Sequence, residues 1–167
     1  MSRIQPLPLE QLPASLADLL HKGVSSGVLS STVPIQVWAN SPSHAQGWLA
    51  LLDLFHSDSS LPERLRELVR LKIAGITNCR ACQVARKSDQ VSEEEVACLS
   101  ADDDRFSAGE QVAIRFAQLF ASDYTAIDEG HFAALRQHFS LEQLTELNMY
   151  CALMLAGGRM TFVQQAY

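Results

Sequence analysis

Apolar residues recur along this chain with a helical period, and nowhere do they alternate long enough to suggest a strand. Residues 1–12 carry Pro6 and Pro8, with Pro13 next, and read as an extended arm. A short helix follows from Pro13 to Lys22 with Leu16, Leu19 and Leu20 inward and Gly23 placed to end it. Val24–Thr32 is open between loop and weak helix, and Pro34–Asn40 offers one or two helical turns. Ser41-Pro42 starts a longer helix to about His56, with Trp48, Leu51, Leu52 and Phe55 on one face. Pro62 opens the next, whose apolar face is Leu68, Leu71, Ile73 and Ala74, with Arg64, Arg66, Arg70 and Lys72 outside it. Gly75, Thr77 and Asn78 read as a helix end, a turn and a new N-cap, which makes Cys79 the first residue of another helix.

Three capping boxes mark later helix starts: Ser92 with Glu95, Ser107 with Glu110, and Ser140 with Gln143. The first opens a short helix to about Ser100, followed by a solvated acidic loop at Asp102–Asp104. The second opens a strongly amphipathic helix through Val112, Ala113, Phe116, Ala117, Leu119 and Phe120. Asp128–Phe139 is a further helix with Phe132, Leu135 and Phe139 inward. The third box opens the C-terminal helix through Leu144, Leu147, Cys151, Met154 and Leu155, with a bend expected at Gly157-Gly158 before it continues to Tyr167. The expected fold is all-α, a bundle of about seven to nine helices with no internal repeat or linker.

Composition narrows the function classes. The 167 residues are 47% hydrophobic and 19% charged, which suits one folded domain rather than disorder. A net charge of −6 without a local Lys/Arg cluster argues against nucleic acid as a partner. The Met1–Leu20 segment lacks the basic start and apolar core of a secretory signal, and no apolar run is long enough to span a membrane. Both point to the cytoplasm, where a close cysteine pair is more often catalytic than structural.

That pair is Cys79-Arg80-Ala81-Cys82. Two cysteines at i,i+3 on one helix face can close a disulfide, and the positive end of a helix dipole favours a thiolate. A zinc site needs a second close ligand pair, but Cys98 and Cys151 stand singly and the five histidines are scattered, with His44 and His56 reading as solvated. Covalent haem attachment needs His after the second cysteine, where Gln83 stands, and a thioredoxin-like domain needs flanking strands. Two inert core cysteines are the remaining alternative to a redox dithiol. Cys151, on an apolar stripe, and Cys98, beside Val96 and Leu99, read as buried structural thiols.

With Glu67 ahead of the pair, the segment Glu67–Arg86 has the form E-(x)11-C-x-x-C behind a Leu61-Pro62-Glu63-Arg64 helix start. It resembles the carboxymuconolactone decarboxylase family, in particular its alkylhydroperoxidase D branch. The resemblance runs from Asn40-Ser41-Pro42 through the later helices and implies an alkylhydroperoxidase D-like domain over residues 34–167, after an arm and short helix at 1–33. It places the CxxC at the N-terminus of a central helix. It also implies no cofactor or metal, a homo-oligomer that is a trimer or a multiple of trimers, a catalytic set of Glu67, Cys79 and Cys82, and a Cys79–Cys82 disulfide in the oxidised state. Cys82 is then the peroxide-attacking residue and Cys79 its partner, although helix-end electrostatics alone favour Cys79 as the thiolate. Glu67 would lie partly desolvated against the dithiol with its pKa raised, able to relay protons. Without the resemblance it reads as a surface ion pair with Arg64 or Arg70.

The family's relay His falls at residue 86, where this chain has Arg. Arginine can stabilise a thiolate but cannot act as a base, and a solvated charge beside Lys87 is its other reading. The implied activity is a thiol-dependent antioxidant oxidoreductase, reducing an alkylhydroperoxide or a disulfide at the expense of an external dithiol. The alternatives are a muconolactone-type decarboxylating lyase and a redox-sensing, non-catalytic oligomeric module, the latter kept open by loss of the His.

Overall fold

In the computed structural model, residues 2–97 and 99–167 are described; Cys98 lies outside the described residues. Among them the chain is helical, without strands. Its α-helices are α1 (Ala14–Ser25), α2 (Val33–Trp38), α3 (Pro42–Ser57), α4 (Glu63–Ile76), α5 (Arg80–Val84), α6 (Glu93–Ala97), α7 (Ala108–Ser122), α8 (Glu129–Arg136) and α9 (Leu141–Gln164), with 3-10 turns at Leu9–Gln11 and Tyr124–Ala126. No helix among the described residues is long and apolar enough to cross a membrane.

The chain forms two compact units, one of residues up to Ser59 together with Met160–Tyr167, the other Ser60–Arg159. In the first, α1 packs on α3 over a core of Leu12, Leu16, Leu20, Ile35, Ala45 and Leu49. The arm is tied down by its backbone: Leu7 exchanges hydrogen bonds with Gln36, and Arg3 donates to the carbonyls of Val163 and Gln164, which the end of a helix leaves unpaired. Gly23 does not end α1. The helix runs to Ser25, and Gly27, at φ 76°, is the residue that turns the chain away.

In the second unit α4 is the central element, packed along α7. Eight of its residues are buried, among them Glu67 and Arg70, so Arg70 is not on an outer polar face as the sequence suggests. Leu68, Leu71, Val91, Phe106 and Ile114 form the apolar cluster beside it. All three predicted capping boxes are present, each with its reciprocal pair of hydrogen bonds. Two of their glutamates also anchor α4. Its Arg64 donates to Glu95 at 2.5 Å and to Glu110 at 2.7 Å, joining that helix to the starts of α6 and α7. The acidic loop is not merely solvated, since Asp103 pairs with Arg105 and Asp102 with Arg115.

α9 is continuous through Gly157 and Gly158. The close approach of α4 accounts for Gly158: a Cβ there would lie 2.7 Å from Thr77 Oγ1, at the C-terminus of α4.

Candidate functional site

The dithiol begins where α4 stops. Thr77 is the C-cap, Asn78 follows at φ 52°, and the Asn78 and Cys79 amides donate to the Gly75 and Ala74 carbonyls at 3.4 and 3.2 Å. This is a Schellman motif, with Asn in the left-handed position that usually takes Gly. Asn78 therefore terminates one helix instead of capping the next. Cys79 fills the capping place of α5: it precedes the helix, and its carbonyl accepts from the Gln83 amide at 2.9 Å. The Gln83 side chain returns to the Ala74 carbonyl at 3.0 Å, fastening α5 to the end of α4.

Cys79 and Cys82 are joined by a disulfide, with their Cα atoms 5.2 Å apart. Cys79 is fully buried and Cys82 only half-buried. Cys151 is a free, buried thiol, as its apolar stripe predicts, and burial pushes its pKa up.

Beneath the dithiol lies a buried ion pair. Arg70 Nε and Nη2 each donate to one oxygen of Glu67 at 2.7 Å, a bidentate pair in which Glu67 is 2% exposed and Arg70 6%. Nη1 and Nη2 also donate, each at 2.6 Å, to the carbonyls of Cys82 and Ala85. These belong to the last turn of α5 and the residue just past it, where intrahelical donors run out. Arg70 is thus the C-terminal cap of the dithiol helix. The Lys87 amide closes the arrangement by donating to Glu67 Oε1 at 3.0 Å.

Glu67 is therefore desolvated, as the resemblance implies, and not on the surface. Its described hydrogen bonds go to Arg70 and Lys87, however, and its connection to the dithiol runs through the guanidinium to a Cys82 backbone oxygen. The Lys87 ammonium is held down to about 8, first by burial, then by neighbouring Arg70, with Glu67 opposing.

α5 ends at Val84, so Arg86 is beyond the helix and does not share a helical face with the cysteines. Its Nε and Nη2 form a second bidentate pair, with Glu93, at 2.9 Å each, and Nη1 donates to the Gln83 carbonyl. Beside α5 a cavity of about 550 Å3 opens, with Arg86, Glu93 and Gln83 among its polar walls.

Sequence reasoning missed Arg70, Lys87 and Glu93. The Glu67–Arg70 spacing is visible, but an i,i+3 pair is equally common on surfaces, and only packing on several sides of α4 distinguishes the two. Lys87 carries no signal in the sequence.

No protein-family model matches this chain, and no curated protein matches it. Solved structures do. The debrominase Bmp8 in its apo form superposes with a TM-score of 0.83 at 16% identity, over 98% of this chain and 90% of that chain. A cysteine-to-alanine variant of Bmp8 in complex with 2,3,4-tribromopyrrole gives 0.84 at 16% identity, over 100% and 91%. An alkylhydroperoxidase AhpD core, a peroxidase-related protein from Ralstonia eutropha JMP134, gives 0.78 at 19% identity, over 99% and 91%. The likeness read from the CxxC segment extends over the whole chain, which has the alkylhydroperoxidase D-like helical fold.

Proposed function

We propose that the protein is a dithiol oxidoreductase in which Cys82 attacks the substrate and Cys79 resolves the product. The observation that carries this reading is the Cys79–Cys82 disulfide, with Cys79 buried and Cys82 only half-buried. The enzyme names of the fold neighbours support catalysis over passive sensing.

With a hydroperoxide, the Cys82 thiolate takes the distal oxygen and becomes a sulfenic acid, while the alkoxide leaves and is protonated to the alcohol. The Cys79 thiolate then attacks the Cys82 sulfur, closing the disulfide and releasing hydroxide, which is protonated to water. An external dithiol reopens the pair by two exchanges and is itself oxidised. Glu67 and Arg70 act as positioning residues, holding the Cys82 and Ala85 carbonyls and hence α5. Arg86 lacks an acceptor, so it supplies charge and no proton transfer.

A second reading is favoured by the likeness to Bmp8. With a bromoarene, the Cys82 thiolate takes the bromine, the arene carbon takes a proton, and Cys79 displaces bromide as the disulfide closes. The sum is arene, disulfide and HBr from bromoarene and two thiols.

The test is to treat reduced protein with cumene hydroperoxide and, separately, with a bromopyrrole, following thiol loss, bromide release and the mapped disulfide. Loss of two thiols into a Cys79–Cys82 bond, abolished in Cys82→Ser, is expected with one class. Cys79→Ser should stop at a sulfenic acid under peroxide. Thiols unchanged by both substrates would remove the catalytic reading.

A further inference from the structure

Arg86 is held from two sides of unequal strength. Nη1 is tethered to the Gln83 carbonyl on the chain just behind it, and the side chain is 28% exposed. Its partner Glu93 is 74% exposed and opens the five-residue α6. The guanidinium is therefore fixed by the fold, while the carboxylate on it is a solvated group that can swing away at little cost. The Arg86 hydrogen bonds hold the Glu93 carboxyl below the usual range, as expected for a carboxylate in a matched fork.

This fork faces a cavity of about 550 Å3, within the range of roughly 300–1,000 Å3 typical of small-molecule sites. Its other walls include Leu71, Val96 and Leu99, with Val84 of the dithiol helix at its edge, 80% exposed. A large exposed aliphatic residue beside a cavity with one strong anion donor fits a ligand having an apolar body and a single acidic end. The fork would take carboxylate or phosphate, but Glu93 already demonstrates carboxylate, and Glu94 and Glu95 in the same turn would repel a dianion more strongly.

We propose that this cavity binds a small organic carboxylate with an apolar body, that Arg86 recognises it, and that Glu93 is the chain's own carboxylate occupying the guanidinium until such a ligand displaces it. Resting on the dithiol reading, the cavity beside α5 becomes the substrate subsite, and the position of the family's relay His has been turned from proton transfer to recognition.

The experiment titrates the oxidised full-length protein with 4-phenylbutyrate and with 4-phenylbutyramide by calorimetry. The acid should bind at least about tenfold more tightly than the amide. Glu93→Gln, which keeps the guanidinium and frees it, should tighten the acid several-fold, and Arg86→Gln should abolish the preference. Equal binding of acid and amide, no binding of either, or an unchanged affinity in Glu93→Gln overturns the proposal. A turnover arm separates it from the dithiol reading by comparing a hydroperoxide that bears a carboxylate with its methyl ester. Equal kcat/KM for the two, with Arg86→Gln unchanged, removes the subsite and leaves the dithiol enzyme standing. Acid-selective binding without thiol turnover of any electrophile removes the dithiol enzyme and keeps the carboxylate site.

Discussion

Arg70 donates four hydrogen bonds, two to Glu67 and one each to the Cys82 and Ala85 carbonyls. Removing one partner of such a buried pair leaves an uncompensated charge, and the typical cost is about 3–5 kcal/mol. Arg70→Met should therefore destabilise the oxidised protein by an amount in that range, measured by urea unfolding. The double variant Glu67→Leu/Arg70→Met should recover part of the loss, because it removes the stranded carboxylate as well. The dithiol reports separately: with its C-terminal cap gone, α5 should loosen, and the reduced Arg70→Met protein should alkylate faster at buried Cys79 than wild type does. An unchanged Cys79 rate would mean that α5 is held without Arg70, by the Gln83 side chain on the Ala74 carbonyl. Arg70→Lys is not a conservative control, since an ammonium cannot present the fork that meets both Glu67 oxygens.

The helices are largely readable from elementary signals, because proline starts and reciprocal Ser/Glu caps act within a few residues of themselves. Ser107 and Glu110 need nothing distant to find each other. What the sequence leaves ambiguous is which of two adjacent helices owns Asn78, since asparagine serves both as an N-cap and as a left-handed C-terminal residue; hydrogen bonds to Ala74 and Gly75 decide it. Asp128 with His131 is a fourth capping box that escapes a sequence reading because histidine stands where Glu or Gln is expected. Arg70 is misplaced by the pattern for a different reason: helical periodicity reports one packed face, and α4 is packed on more than one. Two substitutions test the junction. Asn78→Gly should be neutral or mildly stabilising, whereas Asn78→Val, β-branched at φ 52°, should cost about 1–2 kcal/mol. Gly158→Ala forces a methyl against the Thr77 hydroxyl, which is already committed to the Ile73 carbonyl at 2.9 Å, and should cost about 1–3 kcal/mol. Combining it with Thr77→Ala should relieve part of that cost; strict additivity in the double variant would show that the two residues do not meet.

Across the whole molecule, ionisable groups perturbed by folding set how stability varies with pH, and they act in two separate windows. On the acid side the Arg64 hydrogen bond and the Ser92 amide hold Glu95 down to about 2 from 4.5, and Arg105 holds Asp103 down to about 2 from 3.8. Glu93 and Asp128 are lowered by Arg86 and His131. The unfolded chain binds more protons between these limits, so stability is full above about pH 4.5 and is lost as pH falls towards 2. Glu93 and Asp128 are largely exposed whereas Glu95 and Asp103 are mostly shielded, so added salt should flatten the slope only in part, and Glu95→Gln should remove a share of what remains. On the alkaline side the signs oppose each other. Lys87 is lowered to about 8 from 10.5, so its folded form gives up a proton before the unfolded form does, and stability gains as pH rises between those values. Lys72, lowered by burial, acts in the same direction. Burial raises Cys151 from 9.0 and Tyr150 from 10.0, so their contributions, complete below those values, are lost as pH climbs past them. In the oxidised protein Cys79 and Cys82 do not titrate, which leaves Lys87 as the group whose gain starts lowest. Urea midpoints for wild type and Lys87→Met should therefore diverge from about pH 8 upward, with the variant's alkaline limb falling more steeply. Parallel limbs would place the Lys87 ammonium in water, and its burial would then have no part in holding residues 82–87 against Glu67.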